Sequence, residues 1–360
     1  VESLQRELSR RDCRAALVMS MENIRYLTGH YVWTSHSPTT FAVVPAGGPP
    51  VLFVPAADES LARLASRVRV EPYEPKGPGA VADLCRGVLA KSGASAGRLG
   101  VEFGAITVDR FRALERGMAG WTFEDATAIL SGLRAIKDET EQQAFRRAAE
   151  LMGFALRATG AALTAGMSEL EVKGRFDSEL YAEAARRWPD AMTAASTNVL
   201  SGDRLNRLHD GAHGRRVGAG EPVWILSHAH WNGYWANISR NVFVPGALPD
   251  TNVVRAHEAV IEAQRAAIRQ LVPGRVLGEA AKAADAALAR HGLLDKKMYG
   301  VFRGLGLRYD ELPRPTDLDT VVAAGMCICV QLHVRLSNLI VGQGDSILVT
   351  GRGPEIVSQS

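Results

Sequence analysis

The stretch from Val223 to Val244, VWILSHAHWNGYWANISRNVFV, constrains the fold more than any other part of the chain. Two alternating runs flank Asn232-Gly233. An Asn-Gly pair suits the two left-handed positions of a tight turn, so this spacing predicts a β-hairpin. Side chains on a strand alternate between faces. Trp224, Leu226, His228 and His230 therefore share one face of the first strand. On the partner strand, Trp235, Asn237, Ser239 and Asn241 belong together in the same way. Such a face, holding imidazole, amide and hydroxyl groups between indoles, is a candidate site lining rather than an ordinary core.

The rest of the chain frames that hairpin. A length of 360 residues suggests two domains or one large one. With 46% hydrophobic and 22% charged residues, a soluble globular protein with a sizeable core is expected. The net charge of +3 is too small to imply nucleic acid or a membrane surface as partner. Arg10-Arg11 and Arg215-Arg216 read as solvated surface. No apolar run reaches membrane length. The chain opens on Val without an initiator Met, which implies a missing or processed upstream segment. Its first residues read as an amphipathic helix running into a strand, not as a signal peptide. Cys13, Cys85, Cys327 and Cys329 lack the spacing of a disulfide framework, so a reducing cytoplasm is expected.

Alternating elements fill the first third. Glu2 to Arg11 reads as a helix and Val108 to Arg116 as another. Ala15 to Met19, Thr40 to Val44, Val51 to Val54 and Leu99 to Glu102 read as strands. A boundary is expected near Gly132, giving domains at 1–132 and 133–360. Leu133 onward is expected to open a long helix, with Asp138 and Glu141 spaced as a capping box. Glu169 to Arg187, Asn252 to Leu271 and Gly278 to His291 read as further helices. The fold class is α/β (α+β).

Several ordered phrases resemble the creatinase / aminopeptidase P / prolidase superfamily. Asn23-Ile24-Arg25-Tyr26-Leu27-Thr28-Gly29 is similar to its N-domain phrase. Leu133-Arg134-Ala135-Ile136-Lys137 is similar to its linker, Gly233-Tyr234 and Ser239-Arg240 to its hairpin, and Ser201-Gly202 with His209 to a further phrase. Gly304-Leu305-Gly306-Leu307, Glu311-x-Pro313, Gly325-Met326 and Ile347-Leu348-Val349-Thr350 extend the likeness almost to the end. The resemblance implies a creatinase-like N-terminal α/β domain followed by a pita-bread domain.

It also implies a two-metal centre with five ligands: two Asp, a His and two Glu. The matching positions here hold Leu226, Asn237, Arg303, Gln331 and Gly344. No family-type metal or other cofactor is expected from that set. A rebuilt site using His228, His230, Cys327, Cys329 or His333 is the alternative, and strand packing is the simpler account of those residues.

The same alternation places Cys329, Gln331 and His333 on the lining, with Arg303 and Asp310 entering from loops. The candidate proton-transfer groups are His209, His228 and His333. Arg303 suits a substrate carboxylate, or else pairs with Asp310 or Glu311. Asn237, Gln331, Asp310, Ser239, Trp235 and His36 complete the candidate substrate contacts. The general-base His of the metal-free creatinase branch matches His209, but the two Glu of that branch fall on Ser239 and Gln331. The expected activity is metal-independent proton transfer on a small polar substrate bearing a carboxylate or amidine. C–N hydrolysis, elimination or cyclisation, as in specialised biosynthesis, all fit. The alternative is an inactive binding or scaffold protein. The resemblance further implies a homodimer in which Tyr31 to Thr40, with Trp33 and His36, reaches the partner's cavity.

Overall fold

A computed structural model describes residues 1–31, 40–77, 79–337 and 339–358. Trp33 and His36 lie outside them. Val1–Arg134 and Ala135–Ser360 form two compact units.

The first unit runs α1 (Glu2–Arg10), β1 (Cys13–Val18), α2 (Met21–Thr28), β2 (Phe41–Pro45), β3 (Val51–Pro55), α3 (Glu59–Ala65), β4 (Arg69–Tyr73), α4 (Ala80–Lys91), β5 (Gly97–Val101), α5 (Val108–Gly117), β6 (Trp121–Asp125) and α6 (Thr127–Ala135). The strands make one mixed sheet in the order β4-β3-β2-β1-β5-β6. Alternation along β1 feeds two cores. Ala15 and Leu17 pack on one face and Ala16 and Val18 on the other, and a register shift between Cys13 and Ala15 puts Cys13 with the second set. Asn23 of the N-domain phrase is an organising residue. Its amide donates to buried Glu102 at 2.6 Å and accepts from Arg134 at 2.5 Å. Glu102 also accepts from the backbone of Met19 and Ser20, so the charge is fully engaged.

The second unit runs α7 (Glu139–Ala162), α8 (Glu169–Arg187), β7 (Thr193–Ser201), β8 (Pro222–Trp231), β9 (Tyr234–Phe243), α9 (Thr251–Ile268), α10 (Leu277–Arg290), β10 (Lys297–Met298), β11 (Phe302–Gly304), β12 (Cys327–Arg335), β13 (Ile340–Thr350) and β14 (Gly353–Ile356). Asp138 caps α7, and the reciprocal bond from Glu141 closes the expected box. Leu133 to Ala135, expected to open this helix, instead close α6. The polar cap stops the long helix from extending upstream. Ser168 and Glu171 form a second capping box at α8.

The sheet order is β10-β12-β13-β9-β8-β7, with β11 added to β12 and β14 to β13. The hairpin forms at Asn232 (φ 49°) and Gly233 (φ 88°), the two positive angles that the Asn-Gly pair tolerates. Helices pack on the strand faces that carry apolar side chains. Val223, Ile225 and Ala229 of β8 join the core with α7 and α8, while Ile328, Val330, Leu332 and Val334 of β12 join that with α9 and α10. The residues between these core positions are left for the site.

Candidate functional site

The register brings the polar residues together. β8 and β9 pair Trp224 with Asn241, Leu226 with Ser239, His228 with Asn237, and His230 with Trp235. Ser239 then faces Gly344 of β13, and Gly344 faces Gln331 of β12. Arg303 does not enter from a loop. It sits in β11, opposite Cys329, so strand pairing fixes its backbone. Asp310 does come from the following irregular segment.

A cavity of about 490 Å³ opens over this surface. His209, Trp224, Leu226, His228, Arg303, Asp310, Cys329, Gln331 and His333 all line it. Asn237 and Ser239 have no exposed surface and are not among the lining residues. They form the floor that holds the lining, a correction to their expected contact with substrate. Trp235 is half-buried and also not among the lining residues, and it stands edge-on to His230 and to Tyr309. His230 is buried and its Nδ1 accepts from the Gly233 backbone at 3.2 Å, so it secures the hairpin turn.

One polar chain links four strands. The Cys329 thiol donates to Asn237 Oδ1 at 3.2 Å. That orients the amide nitrogen of Asn237 toward His228 Nε2, 3.2 Å away. Arg303 Nη2 reaches the same nitrogen at 3.2 Å, and its Nε donates to the Tyr309 carbonyl at 2.9 Å. A second chain runs from Gln331, whose amide nitrogen lies 3.4 Å from Ser239 Oγ and 3.3 Å from His333 Nε2.

Arg303 pairs with neither expected carboxylate. Glu311 is taken by Lys137 in a buried ion pair at 3.3 Å, and Asp310 by Arg308 at 3.1 Å. Among the described residues, no carboxylate forms an ion pair with Arg303. Its charge is left for whatever enters the cavity.

The electrostatics follow from this. Burial, then the Arg303 charge, pushes the His228 pKa down to about 4. Burial, Arg303 and His209 do the same to His333, also to about 4. Both imidazoles are therefore neutral at neutral pH. His209 is exposed at the mouth, edge-on to Tyr299. Burial pushes the thiols of Cys327 and Cys329 up to about 12 and about 11, so they stay protonated.

The five positions that the resemblance assigns to metal ligands do not fit a pair of divalent ions. They offer a hydrocarbon, two amides, a guanidinium and no side chain at all. Hard dications require several anionic oxygens or a free imidazole. Gly344 adds a steric bar. A Cβ there would lie 2.7 Å from Ser239 Oγ, 3.0 Å from Gln331 Cγ and 3.2 Å from Asn237 Oδ1. The two amides and the hydroxyl have filled the space that a longer side chain would need. Among the described residues, no group of three or more His, Cys, Asp or Glu could hold a metal ion. Asp345 is committed to structure, bonding Arg240, Ser358 and Gln264.

Two tyrosines of the lining escaped the sequence reading. Tyr299 stands beside His209 and His333, and Tyr309 beside His228. Both come from irregular segments, where periodicity carries no signal. Proximity of Tyr309 to the Glu311-x-Pro313 phrase was the available hint.

Comparison with known proteins accounts for the architecture. The family model described as Metallopeptidase family M24 matches residues 143–351, and that of the Creatinase/Prolidase N-terminal domain matches 1–136. The Xaa-Pro dipeptidase of Pyrococcus furiosus is 27% identical over 66% of this chain and 67% of its own length. The prolidase structure from Pyrococcus horikoshii superposes with a TM-score of 0.86 at 22% identity, covering 100% of this chain and 97% of that one. The Xaa-Pro dipeptidase structure from Bacillus anthracis gives 0.86 at 20% identity, covering 100% and 96%.

Proposed function

The chain belongs to metallopeptidase family M24, and within that family we propose that it is an enzyme acting on a small carboxylate-bearing molecule without a pair of metal ions. The observation that carries this reading is the Arg303 guanidinium. It lines the cavity, touches a neutral imidazole and has no carboxylate partner among the described residues. A guanidinium in that state recognises a carboxylate in two-pronged fashion. The sequence left carboxylate and amidine substrates open. A cationic amidine would meet like charge here, which favours the carboxylate.

His209 is the proton carrier in this proposal. It is exposed and lines the mouth of the cavity. Gln331 orients bound substrate, and His333 and Tyr299 wall the cavity beside His209. In C–N hydrolysis, water would add to the carbon and lose a proton to His209, which returns it to the departing nitrogen. Elimination or cyclisation would use the same proton shuttle. A homodimer is part of the proposal. Loss of activity in a dilution-induced monomer, followed by light scattering, tests it.

The relatives named Xaa-Pro dipeptidase suggest a second reading, metal-dependent cleavage of such dipeptides. The mismatched donor set weighs against it. A scaffold role is favoured by Leu226 and Phe302, apolar at the cavity wall. The deciding experiment is elemental analysis of the purified protein, with turnover of a carboxylate library screened in excess chelator. Substoichiometric metal and chelator-resistant turnover are expected. Stoichiometric zinc, manganese or iron overturns the proposal, and absence of both turnover and ligand binding favours the scaffold. Arg303→Met should raise KM by roughly tenfold or more, as loss of a charged hydrogen-bond pair does.

A further inference from the structure

His228 stands where Arg303 meets the cavity, and its two ring nitrogens have different surroundings. Nε2 faces Arg303 Nη2 and the amide nitrogen of Asn237, each at 3.2 Å. A guanidinium has N–H donors only and no acceptor. Nε2 must therefore accept, and the ring proton must sit on Nδ1. The Asn237 amide agrees, because the Cys329 thiol donates to its oxygen and turns its nitrogen to the ring. Among the described residues Nδ1 has no partner, and it is not a buried orphan. It remains available to the cavity that His228 lines.

We propose that His228 is a fixed hydrogen-bond donor, whose Nδ1–H acts with the Arg303 guanidinium to hold an anionic oxygen of the ligand. The assignment rests on the reading of this cavity as a carboxylate site, and it deepens that reading. Strand alternation offered His228 as a proton carrier, but the geometry gives it the opposite role. Its accepting nitrogen is occupied by two donors, so it has no lone pair to present to a substrate proton. A neutral imidazole held this way polarises an oxygen without giving up its proton, and Arg303 supplies the charge. The low pKa of His228 supports the neutral state. Tyr309, edge-on at 5.2 Å between ring centres, walls the same end of the cavity.

The test is two-bond proton–nitrogen correlation spectroscopy on full-length protein labelled at histidine and arginine, with His228 assigned by its loss in His228→Gln. At neutral pH, Nδ1 should carry the proton and Nε2 should show the unprotonated resonance. A ring protonated at Nε2, or at both nitrogens, overturns the proposal. Benzoate then serves as the carboxylate probe. Saturable shifts at both His228 Nδ1 and Arg303 Nε are expected. Shifts at Arg303 alone remove His228 from the anion site and leave the carboxylate reading intact. Shifts at neither remove both. His228→Phe should weaken benzoate binding about tenfold or more, while His228→Gln, which keeps an N–H donor, should recover part of the loss. Equal affinities for wild type and His228→Phe overturn the donor role even if the spectra agree.

Discussion

The neutral state of His228 has a measurable cost in acid. Its folded pKa of about 4 lies below the ordinary 6.5. Between those values the unfolded chain binds a proton that the folded one refuses, so stability falls as pH falls through that window. At neutral pH and above the contribution is almost fully present, and below the folded value it is gone. Linkage puts the loss between about pH 7 and about pH 5 near ~2 kcal/mol for this one ring. The assay is urea unfolding of wild type and His228→Gln across that range. Other groups titrate in both proteins, so the difference between the two curves isolates His228. Wild type should lose ~2 kcal/mol more than the variant on acidification. Arg303→Met removes the second cause of the shift and should reduce the slope, though less than removing the ring, because burial is the larger cause. Parallel curves for wild type and His228→Gln would refute the claim that the cavity keeps this imidazole neutral.

Three other outcomes follow from the packing. Gly344→Ala should destabilise by about 1–3 kcal/mol through crowding against Ser239, Gln331 and Asn237, read by chemical denaturation; a neutral result would show that the floor yields easily. Lys137→Met leaves the Glu311 carboxylate buried without its partner and should cost about 3–5 kcal/mol, whereas the double variant with Glu311→Gln should recover part of it. Asp138→Ala opens the α7 capping box and should cost about 1 kcal/mol, measured as a shift in urea midpoint with unchanged slope.

The sequence was most legible where one local rule acted alone. Asn232-Gly233 determined the turn, and the turn determined the pairing of His228 with Asn237 and of Leu226 with Ser239. Strong polar caps made α8 readable to the residue. In the first unit α2, α3, β4, α4, β6 and α6 went unread, because short segments such as Arg69–Tyr73, with Pro72 inside, owe their state to sheet neighbours rather than to their own pattern. Within the site, alternation gave the face but not the depth. It placed Asn237 and Ser239 correctly on that side of the sheet while leaving open whether anything could touch them. Neutral His228 was illegible too, because it depends first on burial and then on Arg303, which is distant in sequence and delivered by a three-residue strand.

The burial of every cysteine has a practical consequence. Cys13 and Cys85 lie within the first unit, Cys327 and Cys329 within the second, and all are shielded from solvent. A maleimide dye added to the native protein therefore has almost nothing to react with, and each modified sulfur records an opening event. Because the thiols divide evenly, mapping the labelled peptides during mild denaturation distinguishes a molecule that opens one half at a time from one that comes apart in a single step.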